Sequence, residues 1–354
     1  MRKVSINTLK GNEKLARNVW SDTGIVLMSE GTYLKKEYIP RLKELNIGYI
    51  YIDDDLGKGI KVDEIIEEQI KEQCQNVVKD TIQKYFYNGN NKLEKLKIVA
   101  EDIILDMLEQ SEVMYNISGV REKSESLYSH SVNVCTLSVL IALRLKLSKK
   151  RVQEIAIGSL LHDIGYNYIT FNYQDKSIDQ FSELERREIK KHVIYGYSAI
   201  EKEDWLSPIS KDIILSHHEN INGEGYPFHL KGDRIKLESK IVAVCDEFDR
   251  LVYGTFTKPM KVHETIEYIL SQSGIRFDQN VVNVFNKSVA VFPNSSTVIT
   301  NEGEIGIVLR QNSGFPARPV IRIVKDKDGN NTENWMEKDL TKILNIFIVD
   351  TIEI

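Results

Sequence analysis

Five of the seven histidines in this 354-residue chain fall between positions 130 and 218: His130, His162, His192, His217 and His218. Asp163 directly follows His162, and Asp246 sits in the stretch VCDEFD. Successive members stand about 25–32 residues apart, roughly one helix, its loop and the next helix. A helical bundle could therefore deliver one ligand per helix to a common point. Neutral imidazole suits transition metals, and an aspartate can bridge two of them. Each residue alone has a plainer reading. A lone histidine on an apolar helix face is usually a packed core residue. His162-Asp163 could close a helix, with the imidazole near the negative end of the dipole. Adjacent histidines could belong to a solvated loop. Five such residues at helix-length spacing make the metal reading the better one.

The elements that must position these residues read as helices from about 120 to 290. His130, Val134, Leu137 and Ile141 share one helical face. VQEIAIGSLLHDIG is a second helix, with Gly165 placed as its C-terminal cap. ELERREIKKHVIYGYSAI, SKDIILSHH and ESKIVAVCDEFDRLV continue the series. Before them, Val62 to Met114 repeats apolar residues every three or four positions, with a break at NGNN (88–91). The first 60 residues mix strand and turn signals, including a turn at Asp22-Thr23-Gly24. After Phe292-Pro293 the chain turns to hairpin strands with Gly and Asn turns. The expected division is a small α+β module over 1–60, a helical connector over 61–96, the helical domain over 97–290 and a β-rich segment over 291–354. The fold class is mainly α.

Composition bounds the function. Lys and Arg number 47 against 52 Asp and Glu, a net charge of −5, which argues against DNA as a partner. No run approaches the roughly 18 apolar residues of a membrane span, and the N-terminus lacks the apolar core of a signal peptide. Cys74, Cys135 and Cys245 fit reduced thiols in a cytoplasmic protein. The chain carries neither a Walker A loop nor a Rossmann glycine fingerprint.

YSHSVNV, LLHDIG, HVIYGY, SHHENINGEGYP and VAVCDEFDRL, taken in order, resemble the bacterial HD-GYP domain, a branch of the HD metal-dependent phosphohydrolases. SGIRFDQNVVNVF looks like that domain's closing segment. The likeness covers about residues 97 to 290 and implies an HD-type helical bundle. It further implies hydrolysis of cyclic di-GMP to linear pGpG, and onward to GMP, by a hydroxide bridging two divalent transition metal ions, iron or manganese. Carried over by position, His130, His162, Asp163 and Asp246 would hold one ion. Asp163 would bridge to a second, completed by His192, His217 and His218. Glu219 would orient a ligand histidine. The GYP turn, with Asn222, Gly225 and Tyr226, would form a pocket wall, and Tyr226 would stack near a guanine. TKPMK (257–261) matches a phosphate-gripping segment and offers Lys258 and Lys261. Signalling proteins would dock through the GYP loop or the end modules, and a homodimer fits the same resemblance.

Three positions depart from the family pattern. Tyr166 stands after HDIG, where a lysine is usual, and brings a hydroxyl without a charge to the catalytic position. Asn222 replaces an aspartate. Ser126 replaces the glutamate of three-metal members, and Glu125 is one residue away, about 100° around a helix. Two ions are therefore expected. Two rivals remain: a catalytically weak cyclic dinucleotide receptor, and a phosphodiesterase for a related molecule such as cyclic GMP-AMP.

Overall fold

The computed structural model describes residues 1–20, 26–45, 47–60, 66, 68–88, 93–109, 114, 127–173, 176–332 and 335–352. The turn at Asp22-Thr23-Gly24, the helix start at Val62, Gly89 to Asn91 of the NGNN break, and Glu125 and Ser126 lie outside the described residues.

The N-terminal module pairs β1 (Arg2–Ser5) antiparallel with β4 (Tyr49–Ile52), and β2 (Val19–Trp20) with β3 (Val26–Met28). A short helix, α1 (Ile39–Glu44), precedes β4. Val4, Ile6, Leu15, Leu34, Leu42, Ile50 and Ile52 form the module's own apolar core.

The helical domain follows as α2 (Glu68–Asn88), α3 (Leu96–Glu109), α4 (Leu127–Arg144), α5 (Lys149–Leu161), α6 (Glu183–Lys190) and α7 (His192–Ile200). It continues through α8 (Pro208–Ser216), α9 (Leu237–Tyr253), α10 (Val262–Ser271) and α11 (Gln279–Ser288). Local chemistry sets several boundaries. Ser148, Ser182, Ser207 and Asp278 each cap a helix start by accepting backbone N–H groups. Pro208 occupies the first turn of α8, where a missing N–H costs nothing. α4 is buried almost all round, from Ser129 to Ala142, so it runs through the centre of the domain. Cys74, Val78 and Ile82 of α2 enter the same core as α4, α5 and α9. The segment read as a connector thus packs as part of the bundle.

The C-terminal sheet runs β8-β7-β6-β5-β9, antiparallel throughout: β5 (Thr297–Thr300), β6 (Ile305–Arg310), β7 (Val320–Lys325), β8 (Glu337–Asp339) and β9 (Ile348–Thr351). Both faces are used, as the two-residue period of strands allows. Val308, Ile321 and Ile323 pack with Phe292 and Leu340, while Ile307, Leu309, Val320 and Val324 pack with Ile60 of the N-terminal module. Arg322 donates to the carbonyls of Leu56 (3.2 Å) and Lys58 (2.7 Å), so the two ends of the chain meet. Among the described residues no helix is long and apolar enough to cross a membrane.

Candidate metal centre

Five helices bring the ligand candidates together. His130 lies in the first turn of α4, His162 caps α5, and Asp163 follows it. His192 opens α7, His217 caps α8 with His218 next, and Asp246 sits inside α9. Two groups result. Ligand atoms of His130, His162, Asp163 and Asp246 lie within 4.8 Å of one another, and so do those of Asp163, His192, His217 and His218. Asp163 belongs to both. Its Oδ2 faces His130 (3.5 Å) and His162 (3.3 Å), and its Oδ1 faces His192 (3.3 Å) and His217 (3.6 Å).

The rings are oriented from behind. Nδ1 of His162 sits 2.7 Å from the Ser159 carbonyl, that of His192 2.7 Å from Ile189, and that of His217 3.0 Å from Ile213. A carbonyl can only accept, so each Nδ1 carries a proton and Nε2 is the nitrogen left facing inward for a metal. His130 turns its Nδ1 to Asp249 Oδ2 at 2.6 Å, and Asn133 holds the other oxygen of Asp249 at 3.0 Å. Asp249 and Asn133 escaped the sequence reading. On a helix, they look like ordinary polar residues until the fold brings α4 against α9.

Electrostatics separates the two groups. Burial works against a charge on His130, His162, His217 and His218. At His130 the carboxylates of Asp163, Asp246 and Asp249 overcome burial and hold the imidazole well above its usual range. At His162 burial is again outweighed, chiefly by Asp163, and the ring is raised to about 9. At His217 and His218 burial prevails and lowers the affinity for a proton. Burial would raise Asp163 and Asp246, but the surrounding imidazoles keep both ionised.

Residues 82–281, more than half of the chain, match the family model described as HD domain. The chain belongs to the HD domain family. Residues 297–354 match a KOW domain associated with HD domain. A cyclic di-GMP phosphodiesterase of Pseudomonas aeruginosa is 28% identical over 226 residues, covering 64% of this chain and 54% of that protein. A 3'3'-cGAMP-specific phosphodiesterase of Vibrio cholerae is 26% identical over 243 residues, 67% of this chain and 44% of that protein. The chain thus spans about half the length of these curated relatives. An HDGYP protein from Bdellovibrio bacteriovorus shares the fold, with a TM-score of 0.50, 22% identity, and coverage of 80% of this chain and 97% of that one.

An HD domain implies bound divalent metal, and the donor set of this one fits. Asp163 Oδ1 and Asp246 Oδ1 are buried and make no well-aligned hydrogen bond among the described residues, although His130 Nε2 stands 3.0 Å from Asp246 Oδ1. Nε2 of His130 and His162 face each other at 3.2 Å, and those of His192 and His217 at 3.4 Å. Facing ring nitrogens, bare or protonated, repel one another, and metal ions between them and the carboxylate oxygens remove the conflict.

Around this centre several expected roles shift. Glu219 does not reach a histidine: its carboxylate accepts the backbone N–H of Phe228 (2.7 Å) and Leu230 (2.9 Å), bracing the GYP loop. Asn222 bonds Glu224 within the exposed turn. Gly225 serves a close approach, since a Cβ there would lie 2.3 Å from Asn220 N and 2.5 Å from Glu219 Cα. Tyr226 stacks on His218, with ring centroids 4.8 Å apart. Tyr166 is 5% exposed and lies flat on His192, centroids 4.3 Å apart, within an aromatic cluster with Phe181 and Phe256. Gly165 makes that approach possible without capping a helix: it sits in a 3-10 turn, Ile164–Tyr168, and a Cβ on it would meet the His192 carbonyl. Lys258 is exposed, and Lys261 is taken by the C-terminal segment, donating to Asp350 Oδ1 (2.6 Å) and the Thr351 carbonyl (3.1 Å). Arg250 stands beside the centre instead, its Nη1 3.7 Å from Asp246 Oδ2.

Proposed function

We propose that the protein is a metal-dependent phosphodiesterase that opens cyclic di-GMP to linear pGpG, with His130, His162, Asp163, Asp246, His192, His217 and His218 as ligands of two divalent ions, iron or manganese. The observation that carries this reading is Asp163, whose two oxygens face two separate imidazole groups. The named relatives supply the substrate class. Bound divalent ions would make a water acidic enough to attack at neutral pH and would neutralise phosphoryl charge. The chain's own residues do the rest. Ser159, Ile189 and Ile213 carbonyls and Asp249 fix the imidazole tautomers. Glu219 holds the GYP loop over the site, and Tyr226 offers a ring edge beside His218 for a nucleobase.

Separate apolar cores support a division into an N-terminal module, the helical domain and the C-terminal sheet.

The name of the Vibrio relative favours 3'3'-cGAMP as the second substrate to test. Metal-loaded protein is incubated with each cyclic dinucleotide and the products are resolved by chromatography. Conversion of cyclic di-GMP to pGpG, abolished by chelator, is the expected result. Turnover of 3'3'-cGAMP alone would move the reading to that substrate. Tight binding with no turnover of either, at full metal loading, would make the protein a receptor.

A further inference from the structure

The metal centre is lined by carboxylates, yet its proposed substrate is an anion. Asp163, Asp246 and Asp249 are all buried there. Bound ions would neutralise the reacting oxygens, but the ligands supply no charged N–H donor to grip and orient the phosphate. The two lysines that sequence offered do not provide it: Lys258 is exposed, and Lys261 is bonded to Asp350. Tyr166 brings no charge and packs on His192.

Arg250 has the right chemistry and the right place. It lies one helical turn beyond Asp246 on α9, on the same face. Its Nη1 stands 3.7 Å from Asp246 Oδ2, close enough for attraction and too far for a hydrogen bond. Its Nε is buried and has no hydrogen-bond partner among the described residues. Such a donor costs free energy unless something completes it. The guanidinium is held in place by the ring of Phe256, 5.6 Å from its Cζ. The neighbouring acid, Glu247, is already occupied by Arg276 at 3.0 Å. A second cation stands nearby, with Lys190 Nζ 5.3 Å from the centre of the Tyr226 ring.

We propose that Arg250 is the phosphate-gripping residue of this site, donating from its guanidinium to a phosphoryl oxygen while the metal ligands hold the reacting centre. The planar fork suits two oxygens of one phosphate, and the charge persists at any working pH. The role deepens the phosphodiesterase reading and rests on it for the identity of the phosphate.

The test uses the full metal-loaded chain and inorganic phosphate as the probe, with binding measured by calorimetry. Metal content and kcat and KM for cyclic di-GMP are followed in parallel. Arg250→Gln should keep its metal and its fold and bind phosphate about 10- to 100-fold more weakly, with a raised KM. Arg250→Lys should recover part of that affinity, because it restores the charge without the fork. It also serves as the decisive variant should Arg250→Gln fail to fold: loss of phosphate affinity at full metal content supports the assignment. Unchanged phosphate affinity in the variants overturns it. Loss of metal with unchanged phosphate affinity per loaded chain also overturns it, since Arg250 would then only brace Asp246. A wild-type protein that binds no phosphate at all does so equally. If the wild type ignores cyclic di-GMP but binds phosphate through Arg250, the assignment stands and the substrate reading falls. If it hydrolyses cyclic di-GMP while Arg250→Gln keeps its phosphate affinity, only the assignment falls.

Discussion

Asp249 holds His130 by a 2.6 Å contact between Oδ2 and Nδ1, joining α9 to α4 behind the metal centre. The carboxylate places the proton on Nδ1 and so leaves Nε2 as the donor to metal. Asp249→Ala should weaken metal binding roughly 10- to 100-fold while leaving the ligands in place. Competition with a calibrated chelator measures it. Activity should return when metal is added in excess, whereas a ligand substitution such as His130→Ala should not be rescued.

Tyr166 is a packing residue in this structure, and its substitutions should behave so. Tyr166→Phe keeps the stack on His192 and should leave single-turnover rates unchanged. Tyr166→Lys would bury an ammonium among Phe181, Phe256 and Tyr173 and should cost roughly 2–4 kcal/mol of stability without speeding the reaction. A melting curve beside the rate decides it. A stable, faster Tyr166→Lys protein would return Tyr166 to the catalytic position.

Glu219 braces the GYP loop through two backbone N–H groups. Glu219→Gln should cost about 1–3 kcal/mol, because one charge-assisted acceptor becomes a donor facing a donor. Hydrogen exchange at the Phe228 and Leu230 amides should rise and metal content should hold. A drop in metal content with protected amides would instead restore the expectation that Glu219 orients a ligand histidine.

Metal uptake should release protons. Burial lowers the His162 pKa, but Asp163 and Asp246 raise it overall, to about 9, and His130 shifts the same way. For a raised histidine pKa, the charged ring's contribution to metal-free stability is complete below the ordinary value of 6.5 and disappears as pH rises through about 9. At pH 7 an incoming ion must displace these protons, so affinity should climb with pH by about tenfold per unit for each proton lost, and the His162 contribution should level off above about 9. Calorimetry in buffers of different ionisation enthalpy counts the protons. Uptake with no proton release at pH 7 would mean the two rings are already neutral.

Much of this centre was legible in the chain because its proposed ligands are rare residues at helix-length spacing. His130, His162, His192, His217, His218, Asp163 and Asp246 all converge in the structure. The helices were legible too, from apolar periodicity, while the serine caps Ser148 and Ser207 that set their starts emerged only in the structure. What surrounds the ligands was not. Asp249 meets His130 across 119 positions of sequence, and Lys261 meets Asp350 across 89. Such pairings depend on how helices and modules dock, and no local pattern encodes them. Gly165 looked like a helix cap because caps are the common use of glycine, whereas here it admits the His192 backbone. Arg250 stayed hidden in DEFDRL because a charged residue on a helix is most often solvated.

The most direct test of the two-ion account compares metal content and turnover of cyclic di-GMP in the wild type and in Asp163→Ala, both purified without chelator. The account predicts about two ions per wild-type chain, and in Asp163→Ala the loss of both ions together with activity, since each imidazole group loses the carboxylate it shares. An Asp163→Ala protein that keeps both ions and near-normal turnover would contradict it.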